Sequence, residues 1–398
     1  MKNNLFRKIF EILSLDMVAK FFFGIASILV IRFLSVEDFA VYAIGLASIN
    51  LVTSSISMIF NRLYIAGDID LPTSPFLSYQ LILIVFIFIF LSIIKDIYDG
   101  YFLLIFFVTI SQVLFWFAQT TYQRLLKFKL YYLSEYLRLI FYLSGFAILF
   151  LNDVFSIKNI FLLHGMSSFI VFLIFGFPFF NLKDLLNFRY INLLNKNFFN
   201  QSNKYLILYS LVVILLSYSD IIMLRFFSNT YYVAVFGAAF TYYSLLQAVT
   251  GSVHKLMLPL VQKTESILDI KNIMNQYIKI PFLLFPIYLL IIFSSDFIIP
   301  FFDNNKYPDS IYLFKILTVS SYLSLCFSPY SNVIFKLKDN KFIFYLYLVA
   351  SIVYLSLLPF IIQKYYAEGL VYASLSMWLV VNFSTFVRAI KKVNAMND

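Results

Sequence analysis

The chain has 398 residues, of which 62% are hydrophobic and 13% are charged, and its formal net charge is +10 at pH 7. Because an ordinary soluble domain carries roughly a quarter charged residues, this composition excludes a water-soluble globular protein. One cysteine and two histidines exclude disulfides and cysteine-rich metal sites and argue against a zinc centre, so neither a metal nor a cofactor is expected.

Apolar runs that are long enough to cross a hydrocarbon core of about 30 Å as helices recur from end to end. They predict an all-α integral membrane protein with about twelve transmembrane helices, and no soluble domain fits between them. A basic stretch precedes the first run, but no small-residue cleavage site follows it, so we expect a retained span rather than a signal peptide. The predicted spans are 10–34, 38–61, 78–95, 100–119, 132–151, 158–180, 204–227, 231–255, 278–300, 310–335, 341–362 and 367–390.

The distribution of Lys and Arg predicts the orientation of these spans. If the N-terminus is cytoplasmic, the inner connections hold about three times as many basic residues as the outer ones, as cytoplasmic loops should. Both ends are therefore expected in the cytoplasm. Anionic lipid headgroups, rather than nucleic acid, are the expected counterpart of the net positive charge.

A short sequence repeat divides the chain into two halves. Residues 32–35 and 40–43 (RFLS and AVYA) resemble residues 225–228 and 234–237 (RFFS and AVFG). Both copies fall at an outer turn that joins the first two spans of a six-span half. Since six is an even number, the two halves keep the same orientation, which indicates a parallel repeat.

This repeat predicts the domain organisation. We expect an N-terminal six-helix bundle over residues 1–180 and a C-terminal six-helix bundle over residues 204–398. Residues 181–203 would form a cytoplasmic linker between them. Because its Leu, Phe and Ile residues have basic neighbours, the segment could equally lie in the membrane interface as an amphipathic helix.

Several segments resemble those of oligosaccharide flippases. Residues 32–43 (RFLSVEDFAVYA) look like that family's turn after the first span, although Ala40 stands where glycine is common. Residues 61–64 (NRLY) are similar to the arginine-rich end of the second span in lipid II flippases, with an asparagine in place of one arginine. Asp220 and Pro259 also fall where such flippases tend to have them.

With its size and its division into six and six spans, the chain thus resembles the O-antigen flippases (Wzx type). These belong to the multidrug, oligosaccharidyl-lipid and polysaccharide exporter superfamily, which is MATE-like and also holds the lipid II flippase. The resemblance implies a V-shaped pair of bundles around a cavity that opens alternately to each face of the bacterial inner membrane. It implies outward movement of an undecaprenyl-pyrophosphate-linked glycan, of the O-antigen or capsule kind, alongside other polysaccharide-assembly proteins.

Ionisable residues inside the spans are the candidate site residues, because each costs about 2.5–3.5 kcal/mol on insertion scales and normally faces a bundle interior. Asp16 and Lys20 are four residues apart and can pair on one helical face. The pair could serve packing alone, or it could line the cavity and release Lys20 to a pyrophosphate. Glu135 and Arg138, three residues apart, pose the same choice, and snorkelling to the cytoplasmic interface is the favoured interpretation.

Asp220 lies in the seventh span with Arg225 five residues further on. It could carry a proton or a sodium ion for coupling, or it could simply stabilise Arg225. His254 and Lys255 are interpreted as interfacial anchors, although with Arg62 they could form a basic mouth for an anionic headgroup. A pyrophosphate carries about two negative charges, so two or three basic contacts would offset the cost of burying it. The candidates for these contacts are Lys20, Arg62, Arg138 and Lys255.

Two other functions stay open. A multidrug or cation antiporter of the same fold would have buried acids and few buried bases, which disfavours it here. A membrane polysaccharide polymerase would need a large outer loop, whereas the fullest outer connection spans only about 301–309. Asp296, Asp303 and Asp309 could still bind a metal there, but such a site is disfavoured. Without a Gly-rich phosphate loop or a catalytic triad, the sequence predicts a transporter rather than an enzyme.

Overall fold

The computed structural model describes residues 21–56, 73–125, 127–179, 201–262, 264 and 266–395. Within these ranges all the regular structure is helical. Nine helices in this part of the chain are at least 18 residues long and apolar enough to cross a membrane, and a shorter apolar helix covers Phe21–Phe33. The chain is therefore a multi-pass, all-α membrane protein.

The helices are numbered in chain order, and two 3₁₀ segments lie at Ser92–Tyr98 and Phe177–Phe179. The helices are α1 (Phe21–Phe33), α2 (Val36–Ile56), α3 (Thr73–Leu91), α4 (Phe102–Arg124), α5 (Phe128–Leu151), α6 (Ile157–Phe175), α7 (Gln201–Phe227), α8 (Thr230–Gln262), α9 (Ile267–Tyr277), α10 (Lys279–Asp303), α11 (Asp309–Phe327), α12 (Tyr330–Lys336) and α13 (Asn340–Ala395).

Each of the twelve predicted spans overlaps a helix of the structure. The tenth predicted span is shared by α11 and α12, and α13 contains the last two. The backbone of α13 leaves the helical conformation at Tyr366 (φ 51°, ψ −135°), which lies between those two predicted spans. The cytoplasmic orientation of both chain ends stays a prediction.

The sequence did not predict α9, which lies between the eighth and ninth spans. This helix buries Ile270, Met274 and Tyr277 and exposes Leu268. The buried residues are four and three positions apart, so they share one helical face. The polar residues between them make the segment too polar on average for a search based on hydropathy.

Two compact units are present in the described structure. One contains the described residues up to Arg32 together with those from Phe226 onward, and the other runs from Phe33 to Arg225. The division thus falls at the two repeated segments, whereas the sequence placed it at a linker over residues 181–203. That linker lies almost wholly outside the described residues, and the two predicted six-helix bundles stay a prediction.

In the unit Phe33–Arg225, α4 packs against α2, α5 and α6. The Tyr122 hydroxyl donates a hydrogen bond to the Phe175 carbonyl at 2.9 Å, and both side chains lie in an apolar cluster with Phe115. A Cβ atom on Gly45 would lie 2.5 Å from Cζ of Phe161. Glycine at this position therefore lets α2 and α6 approach closely.

In the other unit, α11 packs against α8, α10 and α13. The hydroxyl of Thr250 on α8 lies 3.2 Å from that of Tyr288 and 3.1 Å from that of Ser321. These buried hydroxyls satisfy one another where three apolar helices meet, as buried polar groups must.

The two copies of the sequence repeat form the same local structure. Ser35 and Asn229 each precede a helix, and the side-chain oxygen of each accepts a hydrogen bond at 3.1 Å from the backbone N–H three residues on. Ala40 and Ala234 are each the fifth residue of their helix, and both are fully buried. The two turns are thus similar both in sequence and in the hydrogen bonds that cap the helices after them.

Candidate functional site

The structure describes the side chains of three of the predicted site residues, namely Arg138, Asp220 and Arg225. Asp16, Lys20 and Arg62 lie outside the described residues. Lys255 falls within α8, but its side chain is not among those described. The roles predicted for these four residues stay predictions.

Arg138 and Glu135 form an ion pair on α5, with Nη2 of the arginine 2.6 Å from Oε1 of the glutamate. Their spacing of three residues places both side chains on one face of the helix. Only 12% of the arginine side chain and 16% of the glutamate side chain are exposed. The sequence favoured snorkelling of this pair to the cytoplasmic interface. In the structure, both side chains lie mostly inside their unit instead.

Neighbouring helices supply the contacts that allow this burial. The side-chain amide of Gln119 on α4 donates to the second carboxylate oxygen of Glu135 at 2.7 Å. The guanidinium of Arg138 lies 4.6 Å from the centre of the Phe115 ring, which is a favourable cation–π distance. Both carboxylate oxygens are thus hydrogen-bonded, which offsets much of the desolvation cost of the charges.

Further polar side chains continue from this pair into the unit. Gln112 on α4 hydrogen-bonds to His164 on α6, and the Tyr142 ring packs edge-on against the imidazole with a centroid distance of 5.6 Å. Tyr142 also hydrogen-bonds to Tyr42 on α2, and Arg138 lies within electrostatic range of His164. The term Arg138 cluster is used below for the set Gln112, Gln119, Glu135, Arg138, Tyr142 and His164.

The Arg138 cluster includes buried polar atoms that have no hydrogen-bond partner among the described residues. Oε1 of Gln112 and Nδ1 of His164 are two such atoms. In an apolar interior such atoms are costly unless water or another polar group reaches them. An additional polar group beside the buried arginine could therefore hydrogen-bond to these atoms of the cluster.

The sequence predicted part of this cluster and missed the rest. Glu135 and Arg138 were singled out as charged residues in a span, whereas Gln112 and Gln119 were not. The two glutamines are seven residues apart in an otherwise apolar span, and hence on one face of α4. This pattern was the signal that could have identified them.

The second predicted charge group lies around α7. Asp220 is 8% exposed and is therefore buried within its unit. From the sequence, Asp220 was considered as a partner that could stabilise Arg225. In the structure, Oδ2 of Asp99, which follows the 3₁₀ segment Ser92–Tyr98, lies 3.8 Å from Nη2 of Arg225. Because 53% of the Asp99 side chain is exposed, this long ion pair contributes little stability.

The three acids near residues 301–309 do not converge. Asp296 accepts two hydrogen bonds from Lys315 at 2.7 and 2.8 Å, and Asp309 accepts one from the Tyr231 hydroxyl at 3.0 Å. Asp303 is buried. No group of three or more His, Cys, Asp or Glu residues that could hold a metal ion occurs among the described residues.

The fold is shared with flippases and multidrug transporters of known structure. Over 96% of this chain and 87% of the other, the structure is similar to a lipid II flippase, MurJ, in an inward closed conformation, with a TM-score of 0.77 and 13% sequence identity. An inward-facing multidrug resistance MATE family transporter of the MOP superfamily matches 94% of this chain and 95% of its own, with a TM-score of 0.67 and 12% identity. A MATE transporter from Vibrio cholerae matches 99% of this chain and 98% of its own, with a TM-score of 0.62 and 12% identity.

No protein-family model and no curated protein sequence matches the chain. At 12–13% identity the likeness to these structures shows the fold alone. It confirms the predicted MATE-like class of all-α membrane fold. The solved structures named here are transporters or flippases and not enzymes.

Proposed function

We propose that the chain is a flippase that moves an undecaprenyl-pyrophosphate-linked oligosaccharide, such as an O-antigen or capsule repeat unit, across the bacterial inner membrane by alternating access. Support comes from the sequence resemblance and from the fold shared with a lipid II flippase. The observation that carries the proposal is the arginine buried inside a membrane bundle. Burial of a permanent positive charge is costly, and such residues normally mark substrate or ion pathways.

The bonding of the Arg138 cluster supports a role in binding an anion. The guanidinium presents several N–H donors in a planar fork that suits phosphate. In the absence of substrate, Glu135 takes the place of the anion, and Gln119 holds that carboxylate in position at 2.7 Å. A pyrophosphate that competes with Glu135 would bind Arg138 in place of that carboxylate.

One arginine does not balance a pyrophosphate, which carries about two negative charges. Lys20, Arg62 and Lys255 are proposed as further contacts, so that the headgroup passes between basic partners while its polyprenyl tail stays in lipid. Asp220, with Arg225 nearby in sequence, is proposed as the coupling group for a proton or a sodium ion. Coupling by an ion is favoured because the chain carries no nucleotide-binding motif.

The test is complementation of bacterial strains that lack their own oligosaccharide flippase, with surface O-antigen or capsule as the readout. The informative variant combines Glu135→Leu with Arg138→Met, because it removes both charges and leaves neither unpaired. Lys129→Ala is the matched control, since Lys129 is an exposed basic residue of the same helix. Expression in the membrane is matched for all three chains.

We expect the intact chain and Lys129→Ala to restore surface glycan. The double variant should lose about tenfold or more of that activity, because one charge-assisted contact contributes about 1.5–3 kcal/mol. Full activity of the double variant would remove Arg138 from the substrate path. Lys20→Ala and Asp220→Ala test the remaining assignments in the same assay.

A multidrug or cation antiporter is the second candidate function. It is favoured by the buried Asp220 and by the fold shared with MATE transporters. An antiporter would lower the accumulation of a cationic dye without restoring glycan, and Asp220→Asn would abolish that export. Restored glycan with unchanged dye accumulation would favour the flippase.

A further inference from the structure

Several exposed tyrosines lie together at one end of the unit that contains the residues from Phe226 onward. They come from the start of α8, the start of α11 and the region around the break in α13. The distribution of Lys and Arg predicts that this end faces the outer side of the membrane. The term tyrosine surface is used below for the set Tyr231, Tyr232, Asp309, Tyr312, Tyr366 and Tyr372.

Direct contacts join these three parts of the chain. The Tyr232 ring stacks on the Tyr366 ring with a centroid distance of 4.4 Å and an interplanar angle of 8°, and it packs edge-on against the Tyr231 ring at 5.6 Å. The Tyr231 hydroxyl donates a hydrogen bond to the Asp309 carboxylate at 3.0 Å. Tyr232 thus connects α8 to the break in α13, and Tyr231 connects α8 to the start of α11.

A second pair of tyrosines extends the surface along α11 and α13. Tyr312 is three residues after Asp309, so both lie on one face of α11, and its hydroxyl hydrogen-bonds to the hydroxyl of Tyr372 on α13. The exposed Glu368 lies within electrostatic range of Tyr312. The surface therefore combines aromatic rings with hydroxyls and carboxylates.

The backbone of Tyr366 is strained. Its φ of 51° and ψ of −135° fall in a region that glycine favours and that other residues rarely adopt. The side chain is 42% exposed, so burial explains only part of the need for a large ring at this position. Because strained residues cluster at functional sites, the strain indicates that the exposed ring itself has a role.

A sugar is the class of ligand that fits these groups. One face of a sugar ring presents C–H groups, which can pack on the electron-rich face of a tyrosine. The rim of the sugar ring presents hydroxyls, which can donate charge-assisted hydrogen bonds to the carboxylates of Asp309 and Glu368. The same carboxylates repel anions, so the surface suits the sugar part of a lipid-linked glycan and not its pyrophosphate.

We propose that the tyrosine surface binds the sugar part of an oligosaccharide on the outer side of the membrane. This proposal rests on the proposed function and extends it, because it names where the glycan is received after it has crossed. The surface belongs to a different unit from the Arg138 cluster. Binding of a soluble oligosaccharide to it can be measured without transport.

The experiment measures binding of the purified full-length protein, in phosphatidylcholine nanodiscs, to an array of bacterial O-antigen and capsule oligosaccharides that carry no lipid. The array includes the glycans of the strains that are used for complementation. The variants are Tyr366→Gly and Tyr312→Leu. The matched control is Tyr345→Leu, because Tyr345 near the start of α13 is 46% exposed and Tyr312 is 45% exposed.

We expect the intact protein and Tyr345→Leu to bind at least one glycan with equal affinity. Tyr366→Gly should weaken that binding about tenfold, because it removes a ring that packs on the sugar. It should not lower the melting temperature, because glycine adopts the backbone conformation of this position without strain. Loss of binding without loss of stability separates a role in binding from a role in folding.

Three results would overturn the proposal. The first is that the intact protein binds no glycan on the array. The second is that Tyr366→Gly and Tyr312→Leu bind as tightly as the intact protein, which would make these tyrosines ordinary anchors at the membrane interface. The third is that Tyr345→Leu weakens binding as much as they do.

The proposed function can fail separately from this proposal. If the intact chain restores surface glycan but does not bind that glycan on the array, the flippase stands and the tyrosine surface is not a sugar site. If the chain binds the glycan but does not restore it at the cell surface, the sugar site stands and the flippase proposal fails.

Discussion

Replacing Glu135 with leucine tests how much the buried Arg138 depends on its partner. Glu135 accepts hydrogen bonds from Arg138 at 2.6 Å and from Gln119 at 2.7 Å. Hydrogen bonds to charged groups contribute about 1.5–3 kcal/mol each, and breaking a buried ion pair from one side costs about 3–5 kcal/mol. We therefore expect Glu135→Leu to lower the free energy of unfolding by about 3–5 kcal/mol.

Adding Arg138→Met to Glu135→Leu should recover most of this loss. The double variant leaves no unpaired charge, and only the Gln119 amide loses its acceptor, so it should lie within about 2 kcal/mol of the intact protein. The measurement is reversible unfolding in mixed detergent and SDS micelles, with Lys129→Ala as a surface control. A double variant as unstable as the sum of its single variants would refute the reasoning, since the two residues would then act independently.

Two further predictions concern helix ends and pH. Ser35→Ala and Asn229→Ala each remove a helix cap with a 3.1 Å hydrogen bond, so in thermal unfolding each should cost about 1 kcal/mol, and clearly unequal costs would contradict the equivalence of the two turns. Burial raises the pKa of Asp339, but hydrogen bonds from Lys392 and Arg388 outweigh burial and lower that pKa overall. The stability lost in Asp339→Asn, about 1 kcal/mol at neutral pH, should thus shrink as the pH falls below the ordinary aspartate value of about 3.9 and should persist at higher pH.

Hydropathy predicted the helices well because the bilayer imposes a minimum apolar length on every span. It could not predict α9, which is amphipathic, whereas the break at Tyr366 falls between the last two predicted spans. Capping, in contrast, is local, so the repeated turns could be located from the sequence and share a helix-capping pattern. Features that depend on a short stretch of sequence, such as apolar helices and helix caps, were therefore predictable.

The candidate site was predictable only where both partners lie on one helix. The spacing of Glu135 and Arg138 indicated a pair, but Gln119 and Phe115 belong to another helix, and spacing along one helix does not show which side chains of another helix lie beside it. The burial of Asp303 was likewise not predictable from its neighbours in sequence. The sequence grouped it with neighbouring acids, whereas in the structure Asp303 is buried and Asp296 pairs with Lys315.

The internal pairing of Glu135 and Arg138 also has an electrical consequence. A charge that moves across the membrane field exchanges about 2.3 kcal/mol per 100 mV with it, but a pair whose charges sum to zero exchanges almost nothing when it moves as one body. Movement of this ion pair is therefore electrically silent. A transport current from this protein would report the charge of the substrate or of a coupling ion, and it would change sign or size with them rather than with the buried arginine.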